Sequence, residues 1–324
     1  MGDFRRIEVQ NLVEVYIGGL SEATLVTYGA AYKRLVVRAK LLQCSVFKWK
    51  DGEVMGLLMD MSLRETSENA IKLACAVINL LFEVMGIQSP TKSSMLLKVK
   101  KSLIKTANSK KKLAPERHFM KLEYLKLFIT EFYKNPAASV EPSRRRFFVQ
   151  QVLLFMGTKR FNDIKDLKWG DFVTKDDGSV QVFVAKSKTD QEARGTFFYL
   201  SGKKKGILSI PEMLRWYTES LGLKKSDFMF PRFRRNKDTI VPMKNRSVGY
   251  GTALKQLKEE CKKLHLPILT MHSGRIGSAT VAAQFGIARE IIKEGGGWKS
   301  DAVDVYIRTE RPGVVISDKF LECL

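Results

Sequence analysis

HSGR at residues 272–275, GW at residues 297–298 and Tyr306 follow one another near the C-terminal end of this sequence. A turn motif that carries an arginine, GTKR at residues 157–160, lies far upstream of them. Two guanidinium groups, an imidazole, an indole N–H donor and a phenol are therefore placed in one order along the chain. We expect a single pocket to assemble them, because only together do these side chains form a complete reactive set.

This set of side chains suits attack on a phosphodiester by tyrosine. Attack adds negative charge to the non-bridging oxygens, and a guanidinium group meets that charge with two parallel hydrogen bonds while staying protonated. Removing one preorganised donor from a developing oxyanion costs about 3–4 kcal/mol. Four donors could supply much of the barrier reduction without a metal ion, and we assign that role to Arg160, His272, Arg275 and Trp298.

Tyr306 is the predicted nucleophile. Ionising a tyrosine at pH 7 costs roughly 4 kcal/mol, and nearby cations reduce that cost. The departing alkoxide is far more basic than a phenolate, so a general acid has to protonate it. Lys188, in AKSKTD at residues 185–190, is the predicted acid, and Lys186 on the same face of the strand is the alternative. The phosphotyrosyl ester conserves the bond energy, so the strand can be rejoined without ATP.

The charge of the chain predicts its partner. The 324 residues include 56 lysines and arginines against 34 acidic residues, a net charge of +22. Such an excess indicates nucleic acid or an anionic membrane surface, and favours nucleic acid. Basic runs at residues 144–146, 203–205 and 232–237 are predicted to contact the phosphate backbone. No uninterrupted apolar run approaches the roughly 18 residues of a membrane-spanning helix, so no membrane partner is expected.

Histidine and cysteine usage argues against a metal centre. The sequence has only three histidines, and its four cysteines are too scattered for a metal-ligand pair or a disulfide framework. We therefore expect no cofactor, and an intracellular location in whichever compartment holds the DNA. The cysteines are Cys44, Cys75, Cys261 and Cys323.

Hydrophobic periodicity predicts a mainly α-helical chain with a small antiparallel β-sheet. Residues 1–110 form a predicted helical DNA-binding domain, residues 111–117 a basic linker, and residues 118–324 the catalytic domain. Three short runs rich in β-branched and aromatic residues predict the sheet of the second domain. These runs cover residues 171–174, 180–185 and 195–200, and the last predicted helix covers residues 301–308.

A resemblance to a known family rests on these motifs. GTKRFNDIKDLKW at residues 157–169 is similar to the first-arginine motif of the tyrosine recombinase (phage integrase) family, and HSGR resembles its His-x-x-Arg box. The resemblance implies that Tyr306 is the nucleophile and that Asp163 supports the arginines. It also favours Lys188 over Lys186 as the general acid. The phosphate-binding positions that it implies are Arg160, His272, Arg275 and Trp298.

The resemblance further implies a two-domain DNA clamp with a tyrosine-recombinase catalytic fold. Its function would be site-specific recombination or integration of double-stranded DNA through a covalent 3′-phosphotyrosyl intermediate, by a tetramer on paired sites. GWKSDA at residues 297–302 resembles the branch found in eukaryotic mobile elements. Two alternatives stay open: a type IB topoisomerase-like enzyme that relaxes DNA, and a non-catalytic DNA-binding protein derived from a recombinase.

Overall fold

The computed structural model describes residues 20, 22–64, 66–109, 118–135, 141–187, 190, 194–203, 206–236 and 239–308. The chain divides into two compact units, Met1–Pro115 and Glu116–Leu324, and each has its own hydrophobic core. The predicted basic linker at residues 111–117 lies outside the described residues, so its character stays a prediction.

The first unit is helical over its described residues. One face of its third helix buries Ile71, Ile78 and Phe82, which recur at helical spacing. The hydroxyl of Ser67 caps that helix by accepting a hydrogen bond from the Ala70 N–H. The helices are α1 (Glu22–Leu41), α2 (Asp51–Leu63), α3 (Glu68–Val84) and α4 (Ser94–Ser109).

The second unit is built around a helix that is buried on all sides. The helix Pro142–Met156 is buried at every position from Arg146 to Phe155, as expected for an element in the centre of a core rather than on its surface. The GTKR motif begins at the C-cap residue of this helix, Gly157. The helices of this unit are α5 (Leu122–Ile129), α6 (Pro142–Met156), α7 (Phe161–Ile164), α8 (Ile210–Leu221), α9 (Tyr250–Lys263), α10 (Ser273–Gln284) and α11 (Arg289–Gly296).

The predicted antiparallel sheet is present. Its strands β1 (Phe172–Thr174), β2 (Val180–Val184) and β3 (Thr196–Leu200) lie in the order β1-β2-β3. Phe183 pairs with Phe197 across β2 and β3. The predicted general-acid lysines belong to the chain segment between these two strands.

A second sheet was not predicted. The strands β4 (Pro231–Asn236) and β5 (Thr239–Ser247) form an antiparallel pair over a stretch interpreted from sequence as a basic run. Arginine-rich strands have no clear alternation of apolar and polar residues, so periodicity does not reveal them. Tertiary contacts hold β4 instead: Arg146 donates from Nη1 to the Pro231 carbonyl at 3.1 Å and lies over the Phe233 ring.

The basic run at residues 144–146 is largely internal. Arg146 is buried and donates from Nη2 to Gln256 at 2.6 Å. Arg144 donates to Glu260 at 3.1 Å. These two guanidinium groups bind protein atoms, so the predicted phosphate contacts do not fit them.

Close packing of α10 leads to a stability prediction. A methyl group on Gly277 would lie 1.9 Å from the backbone oxygen of Met120, and that backbone cannot swing aside as a flexible side chain does. We expect Gly277→Ala to lower the free energy of unfolding by about 1–3 kcal/mol, the usual cost of overpacking. Denaturant-induced unfolding measures it.

Gly251→Ala is the matched control. No described heavy atom lies within 4 Å of a methyl group built on Gly251, which lies in α9. We expect that change to stabilise the protein by up to about 1 kcal/mol. Equal stability of Gly277→Ala and the unsubstituted protein would contradict the close approach of α10 to Met120.

Candidate active site

Arg275 lies at the centre of the site, in the first turn of α10. Its side chain is fully buried, and Nη1 donates to the Thr158 carbonyl at 2.5 Å. Nε and Nη2 have no hydrogen-bond partner among the described residues. Burial is the main cause that lowers the pKa of Arg275, and the positive charge of Arg160 adds to it. Arginine keeps its proton at neutral pH even so, so the site contains a buried cation with unused donors.

The GTKR turn presents a backbone oxygen to Arg275. Thr158 has φ of +53°, a left-handed conformation that is strained for a β-branched residue. Its hydroxyl forms a 2.7 Å hydrogen bond with Ser278 on α10, which helps to hold that conformation. The turn thus directs the Thr158 carbonyl towards the guanidinium group.

Arg160 is the last residue of the GTKR motif and the N-cap residue of α7. Asp163 is buried and accepts a hydrogen bond from the Arg160 backbone N–H at 3.0 Å. The same carboxylate lies 3.7 Å from Nη1 of Arg160. Asp163 therefore orients Arg160, the supporting role that the sequence predicted for it.

Tyr306 contacts His272 and Arg275 within one chain. Its phenol oxygen lies 2.8 Å from Nε2 of His272, and its ring centre lies 5.4 Å from the Arg275 guanidinium carbon. The helix predicted for residues 301–308 is present but shorter: Asp301–Val305 is a 3-10 helix, and Tyr306 ends it. Ser300 caps it. A 3-10 helix turns about 120° per residue, which changes the direction in which Tyr306 points.

Trp298 completes the pocket wall. It is buried, the Arg275 guanidinium carbon lies 3.7 Å from its ring centre, and its ring meets Tyr306 edge-on at 5.0 Å. Gly297, at φ +66°, ends α11 and turns the chain. The indole leans on Gly296, where a methyl group would lie 1.8 Å from Cζ3. Over the described part of the chain, the Nε1 donor of Trp298 has no partner.

Unused buried donors are rare in folded proteins, and each calls for an explanation. Arg275 contributes two and Trp298 one, and both side chains pack against the Tyr306 ring. An oxyanion such as a phosphodiester provides acceptors for N–H groups of this kind. The chemistry of the donor set therefore fits the phosphate substrate that the sequence predicts.

The lysine assignment stays a prediction. Lys188 lies outside the described residues, whereas Lys186 is described and exposed to solvent. In the same hairpin the Asp190 carboxylate accepts hydrogen bonds from the backbone N–H groups of Arg194 and Gly195, at 3.1 and 2.8 Å.

Two residues near Tyr306 were missed from sequence. Thr280 is fully buried on α10; its hydroxyl donates to the Tyr306 carbonyl at 3.1 Å and accepts from the Arg308 N–H at 3.1 Å. Arg289 on α11 makes a bidentate pair with Asp304, at 2.7 and 2.8 Å. Both residues stabilise the position of the segment 304–308, which includes Tyr306. No sequence pattern indicates them, because the partners are distant along the chain.

Comparisons with solved structures reveal the same architecture elsewhere. A Tn1549 transposon integrase in complex with transposon right end DNA has a TM-score of 0.63 at 10% identity, over 98% of this chain and 99% of that one. XerH site-specific recombinase bound to palindromic difH substrate has a TM-score of 0.61 at 15% identity, over 93% and 79%. A lambda integrase dimer bound to a COC′ core site has a TM-score of 0.55 at 16% identity, over 92% and 75%.

The chain has the tyrosine-recombinase fold. The predicted resemblance is thereby confirmed, together with the fold class, mainly α with a small antiparallel sheet. By sequence alone, no known protein-family profile matches the chain and no curated protein matches it significantly. The fold is therefore recognised through structure and through short motifs. The proposed link to eukaryotic mobile elements stays a prediction.

Within this tyrosine-recombinase fold, five of the six predicted site residues belong to the described part of the chain. Tyr306 lies in contact with three of them, namely His272, Arg275 and Trp298. Arg160 lies close enough to Arg275 for its positive charge to lower the pKa of that guanidinium group. None of the described helices has the length and apolar character needed to cross a membrane.

Proposed function

We propose that this chain is a site-specific DNA recombinase or integrase that cleaves and rejoins DNA strands through a covalent 3′-phosphotyrosyl intermediate. One observation carries the proposal. The phenol of Tyr306 is hydrogen-bonded to His272 and lies beside Arg275, whose buried guanidinium has N–H groups without a partner among the described residues. The proposed nucleophile, Tyr306, and a proposed donor to the phosphate, Arg275, therefore lie next to each other.

The chemistry follows from these contacts. The Tyr306 oxygen attacks the scissile phosphorus and forms the new P–O bond, while the bond to the 5′-oxygen breaks. In the tautomer of His272 with hydrogen on Nδ1, Nε2 accepts the phenol proton. Lys188 protonates the departing 5′-oxygen, and Lys186 is the alternative acid. Rejoining reverses these steps with a new 5′-hydroxyl.

The four donors act on the transition state. Arg160, Arg275 and Trp298 offer N–H groups to the two non-bridging oxygens as their charge grows, and His272 does so through Nε2–H once it has accepted the phenol proton. Donors held in place by the fold are the kind of electrostatic preorganisation that lowers such a barrier. The proposed reaction requires no metal ion and no ATP, and full activity in EDTA is the expected result.

Double-stranded DNA is the proposed partner, and four protomers on paired sites the proposed assembly. The net charge of +22 supports binding to the phosphate backbone. A lambda integrase tetramer bound to a Holliday junction is similar to this chain, with a TM-score of 0.56 at 16% identity. The proposed location is the compartment that holds the DNA.

A trapping experiment tests the function without knowledge of the target site. The probe is a pool of randomised duplexes with a nick placed so that a short fragment diffuses away after cleavage. We expect DNA that remains attached to the protein under denaturing conditions, and peptide mapping should place the attachment at Tyr306. Tight binding without an adduct would instead support the non-catalytic alternative. Relaxation of supercoiled plasmid regardless of sequence, by a monomer, would support the topoisomerase-like alternative.

Thr280→Val tests how the nucleophile is held. The change keeps the shape but removes the hydroxyl that bonds the Tyr306 carbonyl and the Arg308 N–H. Since an unsatisfied buried group costs about 1–3 kcal/mol, the Tyr306 segment should shift, and adduct formation should slow about tenfold or more. The rate is measured at saturating trapping duplex.

Thr252→Val is the control, because Thr252 is an exposed residue of α9. We expect its rate to match that of the unsubstituted protein. If Thr280→Val reacted as fast as this control, the Thr280 hydroxyl would have no part in positioning Tyr306.

A further inference from the structure

Lys159 lies inside the GTKR turn but has no role in the mechanism above. Its Nζ donates to the Gly295 carbonyl at 3.0 Å. Gly295 lies in the last turn of α11, where backbone carbonyls lack helical partners and the helix dipole favours a cation. The ammonium group thus joins the first-arginine turn to the end of α11.

That bond closes a ring of contacts around the site. From Gly295 the chain passes through Gly297 to Trp298, whose ring packs on the Arg275 guanidinium at 3.7 Å. Arg275 in turn donates to the carbonyl of Thr158, the neighbour of Lys159. Removing Lys159 opens this ring between the GTKR turn and the end of α11. The Trp298 turn would keep its packing on Arg275, Ile292 and Val303 but lose its hydrogen-bonded link to the GTKR turn.

The surroundings of Lys159 are mostly without opposite charge. Its Nζ lies 4.9 Å from the ring centre of Phe198 on β3. Burial and then the charge of Arg275 lower the pKa of Lys159 to about 8; Asp163 opposes this shift, and Arg160 adds a smaller effect that lowers the pKa further. The groups that face it from β3 and α11 are the Phe198 ring and the Gly295 carbonyl, and neither titrates.

We propose that Lys159 is a positioning residue that holds the Trp298 turn against Arg275, and that adduct formation depends on its positive charge. The proposal rests on the proposed recombinase function for its effect on rate, but its structural part does not. It concerns Lys159 of this chain, in addition to the hairpin lysine assigned as general acid.

A pH dependence follows from the titration of Lys159. The ammonium form predominates below about pH 8 and is lost as pH rises through that value. The bond to Gly295 weakens with it, so the Trp298 turn loosens at alkaline pH. The folded pKa lies below the ordinary value of 10.5, so the charge on this half-buried side chain opposes folding at neutral pH. That destabilisation disappears between about pH 8 and pH 10.5.

The experiment compares the full chain with Lys159→Met, Lys159→Arg and Lys255→Met. Lys255 is an exposed lysine of α9 with 80% of its side chain accessible. Lys255→Met therefore removes one positive charge, as Lys159→Met does, but outside the Gly295 contact. The first readout is the indole N–H spectrum of the protein labelled at its four tryptophans, with Trp298→Phe used for assignment. The second is the rate of adduct formation with the trapping duplex between pH 6.5 and pH 9.5, a range of about 1.5 units around the transition.

In the unsubstituted protein, we expect the Trp298 indole signal to move with a midpoint near pH 8. In Lys159→Met that signal should be displaced at neutral pH and lose this transition, while the other three tryptophans keep their positions. Adduct formation should slow by roughly tenfold, the order expected for a hydrogen bond to a charged group, without a fall in thermal unfolding temperature at pH 7. Lys159→Arg should recover part of the rate and stay active at higher pH.

Two outcomes overturn the proposal. One is a Trp298 signal that is the same in Lys159→Met and Lys255→Met. The other is a general loss of stability in which all four indole signals weaken together, since that would make Lys159 an ordinary stabilising residue. Because the spectrum needs no catalysis, a protein that forms no adduct with any duplex would contradict the proposed function and still test the role of Lys159.

Discussion

Replacing Tyr306 with phenylalanine should abolish the covalent adduct with DNA while leaving DNA binding intact. The phenol oxygen that is lost is the one bonded to His272 at 2.8 Å, and no other hydroxyl is assigned the attack. Loss of a catalytic nucleophile lowers rates by several orders of magnitude, on the order of a million-fold in a well-studied hydrolase. Adduct formation should fall below detection, measured by denaturing electrophoresis of the trapping duplex.

Tyr199→Phe is the control for that change. Tyr199 lies on β3 with its ring exposed, and its hydroxyl accepts a hydrogen bond from Gln181. Removing that hydroxyl should leave the adduct yield unchanged. Adduct formation by Tyr306→Phe at an appreciable rate would show that another nucleophile attacks, and the proposed function would lose its main support.

Replacing Arg275 with lysine should produce the second largest loss. The guanidinium group binds the Thr158 carbonyl through Nη1 and still has Nε and Nη2 free within the described structure. A lysine keeps the charge but lacks the planar, forked arrangement of donors. Loss of one preorganised donor to the developing oxyanion costs about 3–4 kcal/mol, so we expect adduct formation to slow by a factor of about 100 to 1,000.

Single-turnover kinetics at saturating DNA measure that loss apart from binding. Arg215→Lys is the matched control, because Arg215 is exposed on α8, and its rate should be unchanged. A rate for Arg275→Lys within a few-fold of the control would mean that Arg275 acts as a simple charge rather than as a directional donor.

The sequence alone predicts which side chains meet around Tyr306, although their catalytic roles stay predictions. His272 and Arg275 are three residues apart at a helix start, where such a spacing places both side chains on one side. Their neighbour Gly277 has room only for hydrogen beside Met120, and a methyl group on Gly274 would meet Leu154 Cβ at a tight 3.3 Å. Local spacing and residue type are therefore enough to predict this part of the site. They also predict the helices and the three-stranded sheet.

Other features depend on partners that are remote along the chain. Sequence reasoning assigned Arg144 and Arg146 to DNA contacts, yet both donate to atoms of α9 or β4. It did not find Thr280, whose hydroxyl bridges the residues around Tyr306. The identity of a charged or hydroxyl residue does not reveal whether its side chain faces solvent or a buried carbonyl. Its role therefore depends on the tertiary structure around it.

The order of reactive side chains, the positive charge and the helical periodicity were determined by sequence alone, because each is a local or additive property of the residues. The tertiary structure alone decided that Thr158 takes a left-handed conformation, that Trp298 covers Arg275 and that a 3-10 helix presents Tyr306 to His272. These features arise from contacts between segments distant in sequence. Their geometry is fixed by packing and hydrogen bonding, which no pattern within one segment can encode.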